Sequence, residues 1–347
     1  MKSEAKRQYK RYKMSNNNLN PAEGLTISTK QATAPSADFG VIRVFAPATV
    51  ANVVCGFDVL GFAVNEPGDE VEMRLTTMPG VVIKTITGDD GRLPLDAEKN
   101  TVSASVQHYL QHVNRLDVGV EIDLHKKMPI GSGLGSSSAS TVAGLFAINK
   151  LMGDLLTPTE LVPFAMKGEE LACGYGHADN VAPAILGGFV LVRSYEPLDV
   201  ISLPTPAGMY AAIVYPEVDV PTKDARQMIR SKVLLKDAVT QWGNVAGLVS
   251  GLFMNDFDLI GRSMKDVLVE PTRSILIPGF EEMRVIAMEN GAIGFGISGS
   301  GPSVFALTKD EETAKRITKA QQQHLHKINI NSKAYVSSVN AEGPRVI

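Results

Sequence analysis

Cysteine, long apolar runs and an excess of either charge are all scarce in this chain of 347 residues. Two cysteines, Cys55 and Cys173, are too few for a disulfide framework, so we interpret both as reduced packing residues of a cytoplasmic protein. Because the sequence has no run of about 18 apolar residues, we expect no membrane partner. A net charge of -3 also argues against nucleic acid as a partner.

Apolar residues are abundant enough for a large core, at 44% of the chain against 20% charged residues. The length suggests about two domains or one large domain. Residues 1–38 are polar, basic at their start and without hydrophobic periodicity. We expect a disordered tail there, or an extension ahead of a true start at Met14, in preference to an organellar presequence. The proline-containing segment 203–208 predicts a boundary between domains 39–206 and 207–347.

Hydrophobic periodicity predicts a mixed α+β fold in two parts. The predicted strands are 41–46, 70–76, 81–87, 118–124, 187–193, 209–215, 292–297, 303–308 and 334–339. The predicted helices are 100–113, 137–152, 159–172, 222–231, 236–255, 257–264, 280–290 and 311–324.

The sharpest motif is a glycine- and serine-rich loop between a predicted strand and a predicted helix. It comprises Pro129, Ile130, Gly131, Ser132, Gly133, Leu134, Gly135, Ser136, Ser137 and Ser138. Its glycines allow a ligand to approach the backbone closely, and a helix start presents unpaired N–H groups and partial positive charge. The loop therefore predicts a site for the phosphates of ATP.

Two better-known phosphate loops do not fit this motif. A Walker A loop ends in Gly-Lys-Ser/Thr, whereas Ser136 and Ser137 follow Gly135. A dinucleotide fingerprint needs a third glycine at the position that Ser136 occupies. The alternative is a plain strand-to-helix turn with a serine N-cap.

This loop resembles that of the superfamily of galactokinases, homoserine kinases, mevalonate kinases and phosphomevalonate kinases. The family usually has alanine where this chain has Ser138, which leaves the glycines undisturbed. The resemblance covers about residues 41–340. It implies a two-domain small-molecule kinase fold, with an N-terminal domain similar to a ribosomal protein and a C-terminal ferredoxin-like domain.

Two further segments resemble homoserine kinases in particular, namely residues 47–58 and 174–188. That resemblance places Asn52, Asp58, His177 and Asn180 near the amino acid L-homoserine. The carboxylate of Asp58 suits the ammonium group of such a substrate. The alternative is that Asn52 and Asp58 only hold a turn.

Asn180 stands where mevalonate-type relatives have a catalytic aspartate. An amide cannot accept a proton, so the resemblance implies phosphoryl transfer without a strong protein base, which depends on positioning and charge stabilisation. Asp179 is adjacent, and we expect its side chain to point elsewhere.

The resemblance also implies Mg²⁺, held by Ser137 and Glu169. Hard oxygen ligands suit this ion. Taken alone, Glu169 reads as a solvated helix residue, because Glu170 is its neighbour.

Family motifs imply roles for three more residues. Thr222 is expected to contact the γ-phosphate, while Arg226 and Arg273 bind the substrate carboxylate through charge-assisted hydrogen bonds. As isolated residues, these arginines would be solvated surface charges. A second glycine-rich loop, residues 294–302, is expected to shape the site beside the phosphate loop, the alternative being a tight turn without ligand contact.

The resemblance thus predicts a cytoplasmic, homodimeric kinase that phosphorylates L-homoserine for threonine biosynthesis. Two other functions stay open at this point. One is a kinase of the same superfamily acting on mevalonate or a sugar, and the other is a nucleotide-responsive binding protein without catalysis.

Overall fold

The computed structural model describes residues 40–220, 226 and 228–347, and it describes the backbone alone for residues 171–173. The predicted tail 1–38 and half of the predicted helix 222–231 lie outside these residues, and the described residues 228–231 are not helical. The described part contains two β-sheets with helices packed on them, which confirms the predicted α+β class.

The first sheet has seven strands. They are β1 (Ile42–Ala51), β2 (Leu60–Thr76), β3 (Gly80–Thr87), β4 (Gly119–His125), β5 (Phe189–Tyr195), β6 (Leu198–Leu203) and β11 (Arg345–Val346). The main order is β11-β1-β2-β4-β3, while the start of β2 also pairs with β5, which pairs with β6. All neighbours are antiparallel except β3 and β4, which the crossover helix α1 (Thr101–His112) connects.

Helices α1 to α4 accompany this sheet. The others are α2 (Ser136–Leu151), α3 (Pro158–Cys173) and α4 (Ala178–Leu186). Helix α2 packs on β1 and β2 and is buried along most of its length, so its first turn lies inside the molecule. Helix α3 begins with a capping box, in which Thr157 accepts a hydrogen bond from the Glu160 amide and the Glu160 side chain accepts one from the Thr157 amide.

The second sheet has four antiparallel strands in the order β10-β7-β9-β8. The bounds are β7 (Tyr210–Pro216), β8 (Gly294–Ile297), β9 (Val304–Thr308) and β10 (Ser332–Ser338). Helices α5 (Leu235–Met254), α6 (Phe257–Ser263), α7 (Glu270–Arg273), continued by a 3₁₀ turn at Ser274–Leu276, and α8 (Phe280–Glu289) precede β8, and α9 (Glu311–Lys327) precedes β10. This chain order and strand order are those of a ferredoxin-like βαββαβ unit.

The first sheet's β6 ends at Leu203 and the second sheet begins at Tyr210. The domain boundary at residue 206 stays a prediction, and the C-terminal β11 returns to pair with β1. Within the described ranges, no helix combines the length and the apolar character needed to cross a bilayer.

Sequence periodicity missed three elements of the first sheet and its helices, namely β6, β11 and α4. Helix α4 has Pro183 in its interior, which ordinarily ends a helix because proline lacks an N–H donor. Strand β6 is half exposed and shows no clear alternation of burial. Helix α4 depends on neighbours distant in sequence, since it packs against β1 and β2, whereas β6 pairs with the preceding strand β5.

Candidate active site

A single cavity of about 500 Å³ brings together segments that are far apart in the sequence. The predicted site residues that line it are Asn52, Asp58, Ile130, Gly131, Ser132, Gly133, Gly135, Ser136, Ser137, Ser138, Glu169, His177, Asn180, Arg226 and Arg273. The phosphate loop and the residues assigned to an amino acid therefore face the same space.

Three predicted residues are not part of this lining. Pro129 is half-buried beside the cavity, and Leu134 is fully buried, with its carbonyl oxygen accepting a hydrogen bond from the Thr49 amide at 3.1 Å. Thr222 lies outside the described residues. Leu134 thus anchors the loop to β1, which suits an apolar residue between two glycines.

The phosphate loop requires glycine at two positions for different reasons. Gly133 has φ of 80°, and a Cβ atom there would lie 2.5 Å from the Ser298 carbonyl oxygen. Gly135, the N-cap of α2, has φ of 64°, and a Cβ atom there would overlap the Thr49 hydroxyl and lie 3.2 Å from Oδ1 of Asn180. Asn180 is therefore adjacent to the start of α2, where a phosphate is predicted.

Glu169 is buried at 4% exposure, so the alternative of a solvated helix residue is wrong. Its exposed neighbour Glu170 pairs instead with Lys167 at 2.6 Å. Burial raises the pKa of the Glu169 carboxyl, and the Ser137 and Ser138 hydroxyls oppose that shift.

The Oε1 atom of Glu169 and the Oγ atoms of Ser132 and Ser138 are buried without a hydrogen-bond partner in the described part of the chain. Buried oxygens without partners are costly. A carboxylate and serine hydroxyls that line the predicted phosphate-binding cavity fit the hard oxygen ligands that Mg²⁺ prefers.

A buried ion pair beneath the phosphate loop was not foreseen from the sequence. The Lys126 ammonium pairs with Asp69 and donates to the Ser136 carbonyl oxygen at 2.8 Å and the Ser140 hydroxyl at 2.7 Å. Asp69 also accepts from the Lys127 amide at 2.8 Å. Burial lowers the pKa of Lys126, and the Asp69 carboxylate opposes that shift. The network ties β2, the end of β4 and the first turn of α2 together.

The second glycine-rich loop packs directly on the phosphate loop, as predicted. The Ser298 hydroxyl donates to the Gly133 carbonyl oxygen at 2.8 Å, and the Ser303 amide donates to the Ser132 carbonyl oxygen at 3.1 Å. Gly299 and Ser300 line the cavity. This loop of the second sheet supports the phosphate loop from behind.

At the predicted amino-acid end, Asp58 and Arg226 form an ion pair. The Arg226 Nη2 atom is 2.9 Å from Oδ2 of Asp58, and Nη1 is 3.4 Å from Oδ1. The guanidinium also lies over the Tyr175 ring, 4.9 Å from its centre. Arg273 is 5% exposed and lies over the Phe57 ring. Neither arginine is a solvated surface charge.

The expectation that Asp179 points elsewhere is wrong. Asp179 lines the cavity, and one of its carboxylate oxygens lies within 4.8 Å of a carboxylate oxygen of Asp58 and of a ring nitrogen of His177. At the first turn of α4, successive side chains are only about 100° apart, so Asp179 and Asn180 can border one space. Burial raises the pKa of Asp179 to about 8, and the charge of Asp58 adds to the shift. Burial lowers the pKa of His177, against the effect of Asp58.

The loop after β1 is strained where it meets the cavity. Asn52, Val53 and Val54 all have φ in the left-handed region, at 73°, 39° and 62°. Such strain persists where surrounding contacts impose it and is concentrated at functional sites. Here Asn52 donates to the Gly299 carbonyl oxygen at 2.7 Å and accepts from the Asp58 amide at 3.0 Å. Asn52 and Asp58 therefore hold a turn together, and both also line the cavity.

The opposite end of the cavity contains residues that sequence reasoning missed. They belong to the segment before α1 and its first turn, namely Leu93, Pro94, Lys99, Asn100 and Thr101. Asn100 caps α1 by accepting from the Val102 amide at 3.0 Å. No local motif marks this wall, because its neighbours in the cavity come from a loop about 30 residues later.

Two family models match the chain. The GHMP kinases N terminal domain matches residues 100–188, and the GHMP kinases C terminal domain matches residues 246–327. A homoserine kinase from Chloroherpeton thalassium is 47% identical over 314 residues, covering 87% of this chain and 98% of the relative. One from Xylella fastidiosa is 36% identical over 332 residues, covering 96% and 100%.

Solved structures agree with the sequence relatives. The crystal structure of a homoserine kinase from Cytophaga hutchinsonii is 59% identical, covers 91% of this chain and 100% of its own, and superposes with a TM-score of 0.87. A mevalonate kinase from L. major, with 16% identity and a TM-score of 0.65, shares the fold alone.

Proposed function

This chain belongs to the GHMP kinases, and within them to the homoserine kinases, and from that premise we propose that it phosphorylates L-homoserine. The γ-phosphoryl group of ATP passes to the substrate hydroxyl, giving O-phospho-L-homoserine for threonine biosynthesis. One observation supports this best: an anion-binding helix start and a set of charges suited to a zwitterion border the same cavity.

The phosphates bind at the first turn of α2. Free N–H groups and the helix dipole attract anions there, and Gly131, Gly133 and Gly135 let them approach the backbone. The nucleoside extends toward Leu93 and Asn100 at the other end of the cavity. Asp69 and Lys126 neutralise each other, so their contribution is to hold the first turn in place.

Glu169 and Ser137 would hold Mg²⁺, with the buried hydroxyl of Ser138 close by. When bound, the ion neutralises charge on the phosphate oxygens. The role of Thr222 at the γ-phosphate rests on the family motif alone, since this residue lies outside the described part of the chain.

The amino acid is recognised through its two charges. Asp58 accepts the ammonium group, and Arg226 and Arg273 donate to the carboxylate. Asn52 and His177 border the same end of the cavity. Because Asp58 and Arg226 already pair with each other, both receptors for the zwitterion are held near their working positions.

Transfer proceeds without a strong protein base. Asn180 lies beside Gly135 and accepts from the Thr49 hydroxyl at 3.3 Å, whereas Asp179 faces Asp58 and His177 at the amino-acid end. The hydroxyl proton passes to the γ-phosphate, which suits a loose transition state. An acidic limb in kcat that Asp179→Asn abolishes, with substrate affinity retained, would refute this.

The reaction is tested by ADP release with homoserine, serine, threonine and mevalonate in parallel. We expect turnover with homoserine at a kcat/KM well above the other alcohols. Preferred turnover of mevalonate would assign a different kinase of the family, and tight ATP binding without any turnover would assign a binding protein.

We further place the enzyme in the cytoplasm as a homodimer.

A further inference from the structure

Helix α5 (Leu235–Met254) is apolar on two opposite faces. Its inner face buries Gln241, Leu248, Gly251 and Leu252 against the rest of the protein. A helix with a second apolar face normally has a second partner.

The outer face carries an exposed stripe, which we define as Leu235, Val239, Trp242, Ala246 and Phe253. Leu235 is 73% exposed, Trp242 56% and Phe253 64%. Successive members are spaced by 4, 3, 4 and 7 residues. That spacing is the 3.5-residue repeat of a helix that packs lengthwise against another helix, rather than a scatter of surface residues.

A glycine in the middle of α5 adds an independent observation. Gly243 is exposed next to Trp242, and a Cβ atom there would meet no atom within 4 Å. Glycine in a helix interior is destabilising, and nothing within the described part of the chain requires it here. Close approach of a second helix backbone would require it, with Ala246 as the other small residue.

The charges at the two ends of the stripe indicate that its partner is a second copy of α5. Exposed Lys232 and Lys236 lie at the start of α5, and Asp256 and exposed Asp258 follow its end. Two antiparallel copies of α5 would therefore pair lysines with aspartates at both ends. A parallel pair would place like charges together, which is unfavourable.

We propose that the stripe on α5 is the homodimer interface, in which α5 packs antiparallel against α5 of a second copy about a twofold axis near residue 244. This rests on the homodimer placed above and not on the reaction. Such an interface is self-complementary: Leu235 faces Phe253 of the other copy, and Trp242 packs over the small residues Gly243 and Ala246. A central tryptophan in a small-residue surface is typical of an interface hot spot.

The first test measures mass and tryptophan emission of the full chain. Trp242 is the chain's one tryptophan, so its fluorescence reports this surface alone. We expect twice the chain mass of 37.2 kDa at micromolar concentration and a red shift of emission on dilution. Ala246→Glu places like charges across the axis and should weaken the dimer by at least about 100-fold, with red-shifted emission throughout. Leu116→Glu, at an exposed leucine outside α5, should leave the dimer unchanged.

The second test is the orientation, by mild oxidation of cysteine variants in a Cys173→Ser background. Leu235→Cys with Phe253→Cys should cross-link two chains, whereas Leu235→Cys alone should not, since antiparallel copies separate that residue from itself by about 27 Å. A dimer unaffected by Ala246→Glu, or self-cross-linking of Leu235→Cys, would overturn the proposed surface. A monomeric wild type would overturn the dimer too, and ADP release from the same samples reports separately on the reaction.

Discussion

At the scale of single residues, burial determines which carboxylates of this protein can take part in the site. Glu169 and Glu170 are adjacent carboxylates, yet one is buried at the phosphate end of the cavity and the other is paired with Lys167 in solvent. The sequence alone does not distinguish Glu169 from Glu170. Their consequences for activity should differ sharply.

Glu169→Gln should lower kcat by roughly 100-fold or more and raise the Mg²⁺ concentration needed for half-maximal turnover, because it removes a charged ligand from a developing-charge site. Glu170→Gln should leave both quantities within about twofold, since an exposed pair contributes little. The measurement is ADP release against Mg²⁺ concentration. Equal losses of activity in the two variants would contradict the assignment of Glu169 as a Mg²⁺ ligand.

Asp69→Asn should reduce the free energy of unfolding by about 3–5 kcal/mol, because the buried Lys126 would lose its counter-charge. The exposed pair of Lys150 and Asp154 supplies the control, and Asp154→Asn should change stability by about 0.5 kcal/mol or less. Urea unfolding measures both. Similar small changes would mean that Lys126 finds other partners.

At the scale of elements, the site is built where loops meet helix ends. Periodicity correctly predicted β4, which precedes the phosphate loop, and helix α1, because burial alternates in β4 and follows one face of α1. It did not predict α4, whose first turn carries Asp179 and Asn180. A nine-residue helix containing a proline has too little local signal, and packing against the first sheet decides it.

Gly135→Ala should raise the KM for ATP by about tenfold or more, since the added methyl group would collide with Thr49 and displace the start of α2. Gly153 is a matched control with φ of 85° and no atom near its missing side chain. Gly153→Ala should lower stability by about 1 kcal/mol from backbone strain and leave the KM unchanged. An unchanged KM in Gly135→Ala would argue against phosphate binding at this turn.

Helix α5 also joins the loops at the amino-acid end. Gln241 donates to the Cys55 carbonyl oxygen at 2.8 Å and accepts from the Val267 amide at 3.0 Å, linking the loop of Asp58 to the segment before Arg273. Gln241→Leu should raise the KM for homoserine by about tenfold through unpaired backbone groups, with the KM for ATP unchanged.

The neighbouring Thr240→Val is the control for that variant. Among the described residues, the Thr240 hydroxyl bonds only within its own helix, to the Lys236 carbonyl oxygen at 3.2 Å. Steady-state kinetics with each substrate varied in turn distinguish the two. A parallel rise of both KM values in Gln241→Leu would indicate general loosening instead of a local role.

For the whole molecule, the cavity makes folding stability depend on pH through Asp179. Its pKa is raised to about 8 in the folded state, above the ordinary value of 3.8. As pH rises between these values the unfolded chain loses the proton and the folded protein keeps it, so this group lowers stability with increasing pH.

Asp179→Asn removes that dependence. The stability of the variant relative to wild type should therefore rise between about pH 4 and pH 8, by up to about 1.4 kcal/mol per pH unit, and level off above. Urea unfolding across this range measures it, with Asp117→Asn on the surface as control. Parallel curves for wild type and Asp179→Asn would contradict the shifted pKa.

The sequence alone determined the phosphate loop and the two-part α+β class. Glycine conformations, serine hydroxyls and a helix start lie within ten residues, and periodic burial reports each element locally. Tertiary structure alone decided which distant residues meet. The pairs of Asp69 with Lys126 and of Asp58 with Arg226, the direction of Asp179 and the exposed face of α5 all follow from how elements pack. No local pattern contains that information, because a side chain's burial and charge partners are set by residues that approach it only in the folded chain.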